Sequence, residues 1–165
     1  MRHGPVRVGA LALLTACFAW AWGAEAPAGE KKDNDRPVVV SIQGVLASKG
    51  KDAKNPELDP SLAAYREVLV SFPGFGKFED IGRDSGAAKP NQPLVLKVGS
   101  HTIEVILTGW GRTGPKINYT IKDSKGKEIG CSAVVLTAGQ VVPVQVGDPA
   151  VPVILLFKSG RHGGP

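Results

Sequence analysis

From residue 94 onward, apolar side chains recur at every second position, and this period constrains the fold more than any other feature of the chain. Ile117, Tyr119 and Ile121 alternate with Lys116, Asn118, Thr120 and Lys122. A helix brings side chains to one face every 3.6 residues and a strand every two, so this segment reads as a half-buried strand. Leu94, Leu96 and Val98 repeat the pattern, and Gly99 with Ser100 forms a tight turn into Ile103, Val105 and Leu107. Turn chemistry at Asp123–Gly126 leads into a strand that is expected to put Ile129, Cys131, Ala133 and Val135 on one face. On that register Cys131 is a small core residue, with a reactive thiol as the alternative. Ala138 and Gly139 turn the chain into a strand over residues 140–146. The nearly continuous apolar run of residues 151–157 suits a central strand covered on both faces.

Upstream, the Val- and Ile-rich residues 38–48 read as the first strand, followed by a polar loop over 49–58. Asp59 as cap and Pro60 in the first turn open a helix expected over about 60–72. Leu62, Tyr65, Leu69 and Phe72 form its apolar stripe, and Pro73 and Gly74 end it. Residues 77–84 are expected as a short strand and 85–91 as a loop. The sum is a mainly β, or α+β, domain: seven or eight mostly antiparallel strands in a sandwich-like arrangement with one helix. Strand order is open.

The amino terminus has a different character. Arg2 and Arg7 precede an apolar run from Val8 to Trp22, in the order used by signal sequences. The run is shorter than the roughly 20 apolar residues of a membrane-spanning helix. Ala21 and Gly23 suit cleavage after Gly23. A second reading stands beside it: Leu14, Thr15, Ala16 and Cys17 resemble a bacterial lipobox, which would lipidate Cys17 and anchor the chain. The expected organisation is a signal at 1–23, a disordered Ala/Pro/Gly-rich tether at 24–36, a single β-rich domain at 37–158 and a flexible tail at 159–165. The whole chain carries a net charge of +5; loss of Arg2 and Arg7 leaves 18 basic against 15 acidic residues, a balance of +3. These charges are interspersed, so nucleic acid is not an expected partner. Only Cys131 remains as a thiol in the domain, which excludes an internal disulfide.

Motifs of catalysis or cofactor binding do not survive inspection. Gly109, Gly111 and Gly114 have the spacing of a dinucleotide fingerprint, but Pro115 and a β-patterned segment follow where a helix is needed, so a hairpin loop is expected. Residues 44–51 imitate a phosphate loop with one residue too many and Asp52 in place of the metal-binding hydroxyl. His101 is the only histidine of the domain apart from the tail, and it has no paired ligand; it reads as a surface histidine beside a turn. No enzymatic activity, cofactor or metal is expected.

Two clusters are more suggestive. Phe72, Phe75 and Phe78 lie among glycines and are expected to seal the helix onto the sheet. Trp110, with Arg112 two positions on, sits in a loop from Gly109 to Pro115 rich in Gly and Pro. A large aromatic there, if exposed, is a rigid anchor for a partner. Asn118, Tyr119 and Thr120 form a glycosylation sequon, which matters only in the eukaryotic secretory pathway. Asp59-Pro60, Leu62, Tyr65, Phe72-Pro73, Phe78, Ile81 and the hairpins to Val153-Ile154-Leu155 resemble uncharacterised exported proteins of Gram-negative, planctomycete-like bacteria. That resemblance implies an envelope location and transfers no functional residue. The expected function is therefore an exported, non-catalytic domain that serves as a protein-binding or structural component of the periplasm or cell envelope. A carbohydrate-binding module using Trp110 is the alternative, and an enzyme with an unrecognised site comes third.

Overall fold

The computed structural model describes residues 36–160. The signal, the lipidation site at Cys17, nearly all of the tether and residues 161–165 lie outside them. Nine strands form two sheets. The larger has β2 (Glu57–Leu58), β3 (Lys77–Ala88), β1 (Val38–Ser48), β9 (Val153–Gly160) and β8 (Val141–Val146), in that spatial order. The smaller is a meander of β4 (Pro93–Val98), β5 (His101–Trp110), β6 (Pro115–Lys122) and β7 (Glu128–Val135). All pairings are antiparallel except the short β2–β3 ladder.

The inner faces of the two sheets pack on one another, which is the sandwich the alternation implied. Val38, Val40 and Ile42 of β1 and Val153, Leu155 and Phe157 of β9 meet Ile103, Val105, Leu107, Ile117, Tyr119 and Ile121 of the opposite sheet. The Tyr119 ring lies 5.0 Å from that of Phe157. Along β6 the inward residues are buried, while Lys116 and Asn118 are exposed and Thr120 and Lys122 half-buried, as the alternation requires.

β9 lies between β1 and β8, and its alternate residues serve a second core. Ile154 and Leu156, with Val45, Ala47 and Phe78, form a cluster on the outer face of the large sheet, closed by Leu62 and Leu69. The covering segment is the β1–β3 connection. Asp59 caps it by accepting the Ser61 amide through its side chain. The single helix expected over 60–72 is in fact a 3-10 turn (Pro60–Tyr65) followed by one α-helical stretch, α1 (Arg66–Val70). Tyr65, at φ −107° and ψ 7°, breaks the α-helical path between them. Phe72 and Phe75 pack against this cluster, and Phe75 meets the buried Phe78 edge to face. The three phenylalanines thus seal the cap to the sheet.

Three boundaries differ from expectation. β3 continues through residues 85–88, where a loop was expected, because β1 offers a complete antiparallel partner from Val38 to Ser48. Glu57–Leu58 adds a strand inside the expected loop. β9 extends to Gly160 and buries Ser159, whose hydroxyl donates to the Leu136 carbonyl, so the tail begins later than residue 159.

The largest correction concerns β7. Gly130 pairs with Ile121 and Glu128 with Lys122, so a bulge leaves Ile129 without an opposite partner. One extra residue reverses the phase of a strand. Ile129, the bulged residue, packs inward, as does Val134 after it. Cys131, Ala133 and Val135 are therefore exposed, not buried.

Candidate functional site

β5 and β6 form a hairpin whose register shifts between Leu107 and Gly109. Gly109, at φ 155°, accommodates the distortion. Beyond it Trp110 pairs with Pro115, so the expected loop of residues 109–115 is tighter than its composition suggested. The turn proper is Gly111–Gly114, closed by a 2.8 Å bond from the Gly111 amide to the Gly114 carbonyl. This is a hairpin, as expected, and not a dinucleotide loop.

Residues directly opposite one another in an antiparallel pair share a face. Trp110 consequently sits on the same side as the buried Pro115, beyond the last fully buried layer of Leu107 and Ile117. It does not finish the core: 40% of its surface is exposed. Val135 at the end of β7 is 37% exposed and lies beside Gly111, and Arg112 projects from the exposed turn. The hairpin is held close to the end of β7, since a β-carbon on Gly114 would collide with the Leu136 carbonyl oxygen. Trp110 and Arg112 thereby occupy one rim of the sandwich, while Val135, which pairs with the outward-facing Lys116, lies on the opposite face of the sheet from Trp110. Sequence reading named both rim residues; the exposure of Val135 was hidden by the bulge.

Among the described residues, no three His, Cys, Asp or Glu side chains are grouped so as to hold a metal ion, and no helix is long and apolar enough to cross a membrane. His101 is half-buried at the start of β5, and its Nδ1 is buried without a hydrogen-bond partner. Cys131 faces solvent; a hydrogen bond to Glu128, reinforced by that carboxylate's negative charge, raises its thiol above the ordinary range. That is opposite to the activation a nucleophilic thiol needs.

A second feature was not found from sequence. On the outer face of the large sheet, next to the helical cap, a groove of about 370 Å³ is lined by Ser41, Gln43, Tyr65, Arg83, Asp84, Ser85 and Lys158, with Ile42 and Leu156 as its apolar lining. Its residues come from three strands and the cap. The one local signal is Ser41 and Gln43, two polar residues on the odd positions of the otherwise apolar β1.

Compared with protein-family models, curated proteins and solved structures, the chain finds no match in any of the three.

Proposed function

We propose that this chain is an exported, non-catalytic domain that binds another component of the cell envelope through the rim that carries Trp110 and Arg112. The observation that carries the reading is the position of Trp110: a large aromatic left 40% exposed on a rigid hairpin. Tryptophan and arginine are the residue types that dominate binding energy at interface centres, because they combine large contact area with a polar handle. β7 adds to the surface. Among the described residues its outer edge pairs with no strand, and after Glu128 it carries no charge and no proline to blunt that edge. A protein partner can therefore extend the sheet while covering the rim.

The test compares Trp110→Ala with the wild-type chain. Melting should be unchanged, while affinity for the captured envelope partner should fall on the order of thirtyfold, the loss typical of a hot-spot residue. A melting temperature several degrees lower with capture intact would return Trp110 to the core. Binding on a glycan array that Trp110→Ala abolishes would instead establish the carbohydrate reading, in which the ring stacks on a sugar.

A further inference from the structure

The groove on the large sheet is independent of the rim. Register gathers it into two adjacent rows on one face: Ser85, Ser41 and Lys158 across β3, β1 and β9, then Arg83, Gln43 and Leu156 across the same strands. Strand spacing and rise place Arg83 and Lys158 at opposite corners, with α-carbons roughly 12 Å apart. Two long side chains can close on a small ligand across that span. Tyr65, half-buried at the end of the 3-10 turn, forms one wall.

Among the described residues neither Arg83 nor Lys158 makes an ion pair. Two acids lie nearby; neither bonds a groove cation, and both keep their charge, since their hydrogen bonds come from neutral donors. Asp84 belongs to the opposite face of β3, where its carboxylate accepts the Lys97 and Ser85 amides at 2.8 Å each. Asp80 accepts from the Gln43 side chain at 2.5 Å, the Ser61 hydroxyl at 2.7 Å and the Gly82 amide at 2.7 Å. These bonds also fix the buried Gln43, which gives the groove a rigid floor. What is left is two cations without an ion-pair partner over the hydroxyls of Ser85 and Tyr65 and of Ser41, which donates to the Lys158 carbonyl over a long 3.5 Å. A concave site of this volume falls in the small-ligand range, and its donor set matches an oxyanion.

We propose that this groove binds a small ligand bearing a doubly charged oxyanion, with Arg83 and Lys158 pairing with it, Ser85 donating to its oxygens and Ser41 turning from the Lys158 carbonyl to do the same. Phosphoryl groups and paired carboxylates share that chemistry. The experiment titrates the full chain with inorganic phosphate and, separately, with malonate, following the backbone amides by NMR. At least one ion should bind saturably with shifts confined to residues 41–43, 83–85 and 156–158. The ion that binds identifies the source. Arg83→Gln and Lys158→Gln should each weaken it tenfold or more without lowering the melting temperature, and Lys125→Gln, at a distant turn, should leave it unchanged. Failure of both ions to saturate, or binding that survives the double substitution, would overturn the proposal.

Discussion

The two turns at either end of β6 are built on opposite principles. At Asp123–Lys127 the chain closes on itself: the Asp123 carboxylate accepts the Lys125 and Lys127 amides at 2.8 and 2.9 Å, and Gly126 takes φ 77°. Asp123 and Gly126 are accounted for by the need to reverse direction. The turn at Gly111–Gly114 reverses the chain with one backbone bond, yet it holds Trp110 and Arg112, which the reversal does not need. The first turn is explained by folding alone. The second has side chains left over once folding is explained, and that surplus is where a binding function belongs.

Substitutions along β6 and its turns sharpen this contrast. The largest effect should come from the strand between them: Ile121→Ala removes a fully buried side chain and should cost on the order of 2 to 4 kcal/mol. Thr120→Ala, on the outer face, should cost less than about 0.5 kcal/mol. Equal shifts in the denaturation midpoint would mean that the register is wrong. Next, Asp123→Ala should cost about 1 kcal/mol by orphaning two amides, whereas Arg112→Ala should leave stability unchanged. A stability loss at Arg112 matching that at Asp123 would erase the distinction between the turns.

The smallest effect is chemical. With its thiol raised by Glu128, Cys131 should alkylate in the native state but reach its full rate only at higher pH than a free thiol. Glu128→Gln should move that midpoint down. Native protection from alkylation would mean that β7 lies in the opposite phase, with Cys131 inside.

The strands β6 and β7 show what was legible in the sequence and why the rest was not. Both alternate, and β6 follows its pattern because it is an interior strand with continuous partners from Lys116 to Ile121. In β7 the bulge at Ile129 is a property of the pairing with β6, and nothing within the segment itself announces it. β3 is a parallel case. Its polar, glycine-containing second half has weak intrinsic strand preference, and a long partner imposes the conformation. Trp110 could be singled out because tryptophan is conspicuous in a Gly/Pro-rich loop. The groove could not, since Ser41, Arg83 and Lys158 are brought together only by the order β3-β1-β9.

The claim that one end of the sandwich is the contact surface can be tested by placing a photo-crosslinking residue at Arg112 or, as the control at the other end of β6, at Lys125. Both positions are exposed, so the probe itself should not disturb folding. The account predicts a discrete adduct with an envelope component from position 112 and none from position 125. Adducts of equal yield from both positions, or from position 125 alone, would contradict it.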